Sequence, residues 1–435
     1  MKQFLLLVLG LVITFADAFA QKEVSGVYVG GHIRRERPGT ITTLRNSGFT
    51  YVILFNVHVD PDGTLKTDGE TICENGEYVF YRTQPNYQQD VANLKKAPTS
   101  ITRVEICIGG WGNDSYNNIK NLINSHGTGR TTMLYRNFKA LKDAVPEIDA
   151  VNNDDEQAYD VETGAKFHIM MYDLGYKTTL APYTYKSYWT QLSDKIRASR
   201  SKAVERVMVQ CYDGGAGNVN SVGSWNFTGV TERHAGLLYY SNDWSVDKNI
   251  AQFQKWKDDG VASGGFVWVY NSEEWDLNAW ASGMNRVFGA ITVPEDQVAV
   301  RCYSEKNYKG YCVALPEGEF TQADLAVYGL KANDLSSLEI VDNFYQVKLF
   351  TTTNCTGSRI IKKVSSKSLT TNYDNKVCSI IVEPNPTGID SLTPDPSPRS
   401  GEIYDLSGRL IGNSKSSTKK LPRGINIVNG KKVLY

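Results

Sequence analysis

Three polar side chains spaced two residues apart, Asn152, Asp154 and Glu156, follow an apolar segment that begins at Ile148. Side chains alternate between the two faces of a β-strand, so these three are expected to point the same way. Asp and Asn are depleted in strand interiors, and their presence here needs an explanation. A carboxyl group held protonated beside a second carboxylate suits general acid catalysis, with Glu156 as the acid. The alternative is an acidic, solvated loop that merely follows a strand.

The surrounding chain predicts the elements that would position these three side chains, called the polar ladder below. Short apolar segments alternate with amphipathic ones between residues 24 and 289, which suits a (β/α)₈ TIM barrel of about 250 residues; a doubly wound open sheet is the competing architecture. In a barrel the ladder would lie at the carboxyl ends of the strands, where active sites are found. The predicted strands are 26–29, 51–57, 104–108, 148–152, 178–181, 206–211, 235–240 and 265–270, and the predicted helices include 133–144, 188–199, 246–256 and 276–288.

The stretch from Asp149 to Glu156 resembles the DGxDxDxE signature of family 18 glycoside hydrolases, the chitinase and endo-β-N-acetylglucosaminidase group. Asp154 and Glu156 match the end of that motif. Ala150 stands in place of its Gly, and Asn152 replaces the first Asp of the DxDxE core. The Asp-Asp-Glu ending looks more like the endo-β-N-acetylglucosaminidase branch than like typical chitinases.

Three other strand ends extend the resemblance. The Gly-Gly-Trp after the third strand resembles the family's SxGG motif, with Cys107 in place of Ser. Tyr212, after the sixth strand, resembles the Tyr that supports the substrate's acetamido group, and the eighth strand carries a match to the Trp that floors the sugar site. Each aromatic could instead be a core residue. The substrate-binding residues predicted from these matches are Gly110, Trp111, Asp213 and Trp268.

The resemblance implies substrate-assisted hydrolysis without a cofactor, in which the sugar's own N-acetyl oxygen attacks the anomeric carbon. Glu156 would protonate the leaving oxygen, while Asp154 and Tyr212 would hold the acetamido group. Asn152 keeps the shape of the family's Asp but cannot take its proton. The expected partner is an N-acetylglucosamine oligosaccharide or a glycoprotein glycan. One alternative is a non-catalytic, lectin-like protein on a degenerate barrel. Another is a protein-binding or inhibitory barrel, which burial of Tyr212 and Trp268 away from any groove would favour.

A different pattern occupies residues 296–383, where short alternating strands without helices are predicted. Tyr303, Tyr308 and Gly310, and again Phe350 and Gly357, resemble the folded-hairpin signature of βγ-crystallin domains, which implies an all-β Greek-key fold. The second repeat has Cys in place of its second aromatic.

That family's calcium motif is matched by Asp374, Asn375 and Ser379, with Cys378 in a Ser/Thr position. Calcium prefers several oxygen ligands, and this segment is poor in carboxylates. The alternative is a structural or carbohydrate-contacting module braced by disulfides. Of the seven cysteines, the later four can form two bridges in three ways, of which Cys302–Cys312 with Cys355–Cys378 is expected. The earlier three are expected to be buried and unpaired.

The ends of the chain predict export to the cell surface or the medium. Residues 1–20 have the positive start, apolar run and Ala-Phe-Ala ending of a signal peptide. Residues 384–400 are a Pro-rich linker. Residues 401–435 resemble the C-terminal sorting domain of the type IX secretion machinery, the alternative being a small accessory β-domain.

Lys+Arg and Asp+Glu are both 47, which argues against a nucleic-acid partner. After the signal peptide, no stretch is apolar enough for a membrane span.

Overall fold

The computed structural model describes residues 20–31, 33, 39–239, 245–271 and 275–386, together with the backbone of four strands in the tail. The chain forms two compact units. The first ends at Val293 and also takes in residues 326–329, and the second begins at Pro294. Almost all of the predicted signal peptide and linker lies outside the described residues. Within the described part, no helix is long and apolar enough to cross a membrane.

Eight parallel strands of the first unit close into a barrel. The barrel strands are β1 Ser25–Gly30, β2 Tyr51–Val59, β6 Arg103–Gly109, β7 Ile148–Asp154, β8 Lys177–Leu180, β9 Val204–Gln210, β10 Glu232–Leu238 and β11 Gly264–Tyr270. Three further strands of this unit are β3 Leu65–Thr67, β4 Glu70–Glu74 and β5 Glu77–Tyr78. Closure follows because β1 pairs with both β2 and β11, so the barrel prediction is confirmed and the open-sheet alternative is wrong. Strands β3 to β5 form an antiparallel extension on β2.

Helices follow most of the barrel strands and cover them from outside. They are α1 Thr40–Arg45, α2 Tyr87–Lys95, α3 Ser115–His126, α4 Met133–Ala144, α5 Val161–Asp173, α6 Lys186–Ser199, α7 Val246–Asp258 and α8 Leu277–Phe288. The apolar faces of these helices pack on the outward side chains of the strands, as in α5, where Phe167 and Met171 are fully buried. Both faces of each strand are therefore covered, which explains why the strands read as nearly continuous apolar runs.

The second unit contains two antiparallel sheets, of order β13-β12-β15 and β14-β18-β16-β17. The strands of these sheets are β12 Val300–Glu305, β13 Lys309–Leu315, β14 Gly318–Phe320, β15 Ser337–Ile340, β16 Tyr345–Phe350, β17 Arg359–Lys362 and β18 Ser379–Pro384. Helix α9, Gln322–Tyr328, begins in this unit, and its last three residues are among those of the first unit. The prediction that this region lacks helices is wrong. Helix α9 is rich in good helix formers, and Asp324 accepts hydrogen bonds from the backbone and hydroxyl of Thr321 at its start. The Greek-key assignment stays a prediction.

Four strands in the tail form an antiparallel sheet of order β20-β19-β21-β22. They are β19 Glu402–Tyr404, β20 Leu410–Asn413, β21 Ile425–Val428 and β22 Lys431–Leu434. Short strands joined by turns were expected here, and the sorting role of the tail remains a prediction.

The predicted bridge between Cys302 and Cys312 is wrong. Across β12 and β13, Cys312 lies opposite Tyr303, and Cys302 lies opposite Val313. Neighbouring residues of a strand face opposite sides of the sheet, so the two sulfurs point apart and cannot bond.

The other predicted bridge is wrong as well. The Cys355 sulfur lies 3.6 Å from the Ile380 carbonyl oxygen, whereas the Cys378 sulfur lies 3.1 Å from Asn333 Oδ1. Each thiol is therefore held by a different part of the unit. All seven cysteines of the chain are free, and Cys73, Cys107 and Cys211 are buried and unpaired as predicted.

Candidate active site

The polar side chains of β7 divide between the two faces of the strand. Asn153 and Asp155 face the helices: Asn153 Nδ2 lies 2.8 Å from His168 on α5, and Tyr188 on α6 donates to Asp155 at 2.9 Å. Asn152 and Asp154 face the barrel interior, where their partners lie on β1, β8 and β9. The alternation expected from a strand holds through the polar end of β7.

Asp154 lies at the carboxyl end of β7 and is buried. Burial raises the pKa of its carboxyl group well above the usual range, and the charge of Glu156 raises it further. Gln210 Nε2 donates to Oδ1 at 2.8 Å, which favours the ionised form and partly opposes that shift. Asp154 is thus a carboxyl group that keeps its proton to a higher pH than an exposed aspartic acid does.

The backbone beside Asp154 requires glycine. The Gly110 N–H donates to the Asp154 carbonyl at 2.8 Å. A Cβ on Gly109 would lie 2.1 Å from that same carbonyl oxygen, and both glycines have positive φ, at 106° and 100°. The Gly-Gly pair therefore lets the chain pass close to the end of β7 and leaves the space above Asp154 open.

Glu156 is partly buried at the mouth of the barrel. Burial raises the pKa of its carboxyl group, and the negative charges of Asp155 and Asp213 add to the rise, while a hydrogen bond from Tyr183 opposes it. A carboxyl group with a raised pKa that is still reachable from the cavity has the properties of a general acid.

Asp155 holds the loop that carries Glu156. Its carboxylate accepts hydrogen bonds from the backbone N–H groups of Gln157, Ala158 and Tyr159 at 2.9 to 3.0 Å. The side chain is 1% exposed. The three residues after Glu156 are therefore fixed by a single carboxylate, much as a capping Asp fixes the start of a helix.

Asn152 belongs to a hydrogen-bond chain that leads down the barrel. Tyr28 OH donates to Asn152 Oδ1 at 2.8 Å, and Asn152 Nδ2 donates to Thr179 Oγ1 at 2.8 Å. Thr179 in turn donates to Glu105 Oε2 at 2.5 Å, and Arg103 Nε donates to Glu105 Oε1 at 2.6 Å. Both ends of the Asn152 amide are thereby oriented, with its donors directed away from the mouth.

Aromatic side chains form one side of the cavity above Asp154. The Tyr212 and Trp268 rings are stacked, with centroids 6.3 Å apart and an interplanar angle of 14°. Phe55 meets Trp268 edge to face at 4.6 Å. Trp111 is 91% exposed, so its ring is free to stack on a ligand at the rim.

The cavity has a volume of about 680 Å³, enough for a few sugar rings. It brings together all the predicted catalytic and substrate-binding residues except Asn152, which lies one layer below. Its lining residues are Phe55, Gly110, Trp111, Asp154, Glu156, Tyr183, Gln210, Tyr212, Asp213, Gly214 and Trp268.

Sequence reasoning assigned no role to Phe55, Tyr183 or Gln210, which also line this cavity. A signal existed for Gln210, because it lies two residues before Tyr212 and shares its face of β9. Phe55 lies within β2 and Tyr183 follows β8, and neither has a motif around it. Only the barrel geometry brings these two to the mouth.

Comparison with known proteins finds relatives for only part of the chain. No protein-family model matches the chain, and no curated protein matches it.

A fifth of the chain is similar to solved βγ-crystallin domains. One, from Flavobacterium johnsoniae, is 31% identical, with 20% of this chain and 97% of that domain covered and a TM-score of 0.20. The N-terminal domain of Protein S is 28% identical, with 20% and 97% covered and a TM-score of 0.19. A domain from Clostridium beijerinckii is 24% identical, with 19% and 95% covered and a TM-score of 0.19. A likeness with such TM-scores carries no argument about function.

Each of the three predicted calcium ligands is engaged by other groups of the protein. Asp374 forms an ion pair with Lys306 at 2.9 Å, and Asn375 Oδ1 accepts from Ser336 Oγ at 3.0 Å. Ser379 Oγ donates to the Thr352 carbonyl oxygen at 2.6 Å. Among the described residues, no group of three or more His, Cys, Asp or Glu side chains could hold a metal ion. An ion pair with Lys306 thus occupies the only carboxylate of the three residues, and calcium binding there stays a prediction.

Proposed function

We propose that the barrel is a glycoside hydrolase that cleaves β-linked N-acetylglucosamine bonds, in chitin-like oligomers or in the chitobiose core of N-glycans. The observation that carries the proposal is the pair Asp154 and Glu156, two carboxyl groups with raised pKa values at the mouth of one aromatic-walled cavity. Most glycosidases use a pair of carboxyl groups beside the bond that they cleave. The aromatic wall suits the apolar faces of sugar rings.

In the proposed reaction, Glu156 gives its proton to the glycosidic oxygen as the bond from that oxygen to the anomeric carbon breaks. The carbonyl oxygen of the N-acetyl group bonds to the same carbon from the opposite side. Asp154, held by Gln210, orients the acetamido group and balances the positive charge that develops on it. Water then attacks the anomeric carbon and gives a proton to Glu156 while the bond from that carbon to the N-acetyl oxygen breaks, so the N-acetyl group is restored and the configuration is retained.

Tyr212, Asp213, Gly110 and the two tryptophans complete the proposed substrate site. Tyr212 would donate a hydrogen bond to the acetamido oxygen, and Trp268 would form the floor under the sugar ring. Trp111, at the rim, would stack on a sugar further along the chain. Asn152 would support this site indirectly, through the shape of the barrel beneath Asp154.

The decisive experiment measures product release from N-acetylglucosamine oligomers and from a high-mannose glycoprotein, from acid to neutral pH. The expected result is activity in the wild type and a loss of about 10²–10⁴-fold in Glu156→Gln, the range that general acid catalysis supplies. Glu162→Gln is a matched control, because Glu162 lies nearby on α5 and is exposed. The preferred substrate would distinguish the chitinase type from the endo-β-N-acetylglucosaminidase type.

A second candidate is a non-catalytic sugar-binding barrel. It is favoured by Asn152, whose oriented amide cannot take a proton from Asp154. Binding of N-acetylglucosamine oligomers by the wild type, with no cleavage of either substrate at any pH, would establish this alternative and overturn the enzyme.

We also propose that the protein is exported to the cell surface or the medium and that its tail is read by a secretion machinery. The support is the sequence of residues 1–20 and 401–435. Deleting residues 401–435 is expected to leave the protein inside the cell envelope. Export of the shortened protein at an unchanged level would contradict the role of the tail.

A further inference from the structure

A second large cavity lies at the opposite end of the barrel from the candidate active site. It is surrounded by the amino-terminal ends of several parallel strands, among them Arg103 on β6, Arg206 on β9 and Glu232 on β10. Its volume is about 810 Å³. Nothing in the proposed hydrolysis uses this end of the molecule.

The walls of this cavity are strongly basic. Seven Lys and Arg side chains line it, against three carboxylates. All three carboxylates are engaged: Glu23 with Arg206 at 3.0 Å, Glu205 with Arg103 at 2.9 Å, and Glu232 with His234 and Ser263. Among the described residues, four of the basic side chains have no carboxylate partner. These are Lys22, Arg197, Lys202 and Lys257.

This excess of basic side chains is local, since the whole chain has a formal net charge of zero. A concave surface with several unpaired charges of one sign concentrates the electrostatic field and attracts ions of the other sign. The basic side chains gathered here are therefore more than the solvated charges of an average surface.

The two arginines at the base of the cavity add an independent observation. Their side chains are 8% and 5% exposed. Arg103 Nη2 and Arg206 Nε are buried without a hydrogen-bond partner in the described structure. Arg206 Nη1 also lacks a hydrogen bond, but it forms an ion pair with Glu105 at 3.7 Å, and the Arg206 guanidinium lies over the Tyr51 ring at 4.5 Å. A buried N–H group without an acceptor is costly and calls for one.

We propose that this cavity binds a divalent oxyanion, a sulfate or phosphate group, either free or as an ester on a sugar. A tetrahedral oxyanion offers acceptors in several directions, which suits a guanidinium fork at the base and lysines at the sides. The site lies away from Glu156, so this binding does not depend on the proposed hydrolysis.

The test compares binding of sodium sulfate and sodium phosphate, by calorimetry and by thermal unfolding, with sodium chloride used to match the ionic strength. The variant is the double substitution Lys202→Gln with Lys257→Gln. The control is Lys166→Gln with Lys186→Gln, which removes two exposed lysines that do not line the cavity. Arg103 and Arg206 stay unchanged, since they belong to the ion pairs of the barrel.

The expected result is saturable binding of about one anion in the wild type and the control, weakened at least about tenfold in the cavity variant. A second arm uses N-acetylglucosamine 6-sulfate: tighter binding than free sulfate would identify a sulfated sugar as the ligand, and equal binding would identify the anion alone. Absence of saturable binding, or equal weakening in both double variants, would overturn the proposal and leave only ion pairs that stabilise the barrel.

Discussion

Replacement of Asp154 by Asn is expected to stabilise the barrel at neutral pH while it abolishes turnover. Asp154 is buried, and burial together with the charge of Glu156 raises the pKa of its carboxyl group. An Asn side chain has the same shape without the charge, and its oxygen can still accept the hydrogen bond from Gln210. The ionised form of Asp154 therefore costs stability that the substitution recovers.

The magnitude follows from opposing contributions. Moving an ionised carboxylate out of water costs several kcal/mol after relaxation, and a hydrogen bond to the charged group returns about 1.5–3 kcal/mol. The neutral amide of Asn avoids the cost of removing a charge from water and keeps about half of the hydrogen-bond energy. We expect the free energy of unfolding to rise by about 1–3 kcal/mol at neutral pH.

The sign of the pH dependence follows from the raised pKa. A carboxyl group with a raised folded-state pKa contributes stability at low pH that is lost as the pH rises through that value. The advantage of the Asp154→Asn variant should therefore grow from acid to neutral pH. It should vanish in acid, where Asp154 is protonated in the folded and the unfolded chain.

Urea unfolding followed by tryptophan fluorescence measures this effect in the barrel alone, because all eight tryptophans lie before residue 281. Asp149→Asn is the matched control. Asp149 pairs with Lys95 at 2.8 Å and accepts the Val104 N–H at 2.9 Å, so its replacement should lower stability at neutral pH. An Asp154→Asn variant that is less stable than wild type at every pH, or whose difference does not change with pH, would refute the reasoning.

Three further predictions concern other buried or paired groups. Asp155→Ala leaves three backbone donors of the loop unpaired and should lower the free energy of unfolding by about 2–4 kcal/mol, measured by the same urea titration; a loss below about 1 kcal/mol would show that the loop is held by other contacts. Asn152→Asp places a carboxylate against Thr179, whose only proton is already donated to a glutamate, and should cost about 1–3 kcal/mol at neutral pH and less in acid, whereas a cost that is the same in acid would contradict this. If calcium binds at Asp374, Lys306→Gln should tighten it and Asp374→Asn should abolish it in a calorimetric titration, and titrations that neither change alters would exclude the site.

The barrel could be predicted from the sequence because its signals are local. Each of the eight barrel strands is a short apolar run, and helix 133–144 has the amphipathic period of a surface helix. Both patterns can be recognised from neighbouring residues alone. The polar ladder on β7 was predictable for the same reason, since alternation of side chains is a property of any strand. Helix α9 was missed because the alternating residues on either side of it dominated the pattern.

Partners that are distant in sequence could not be predicted. Tyr28 lies 124 residues before Asn152, and Gln210 lies 56 residues after Asp154, yet both pairs form hydrogen bonds. Cys302 and Cys312 are kept apart because Cys312 lies opposite Tyr303 across β12 and β13. That register is set by the turn between the two strands.

The sequence by itself determined the secondary structure of the barrel and the chemical types available at one end of β7. The tertiary structure decided which of them meet: closure of the barrel sets Glu156 and Asp154 beside an aromatic wall and gathers lysines and arginines at the opposite end. The physical reason is that helix and strand periodicities depend on neighbours in the chain. The burial that raises the pKa of Asp154, and the charge that concentrates around Arg103 and Arg206, depend instead on residues brought together only when all eight strands pair.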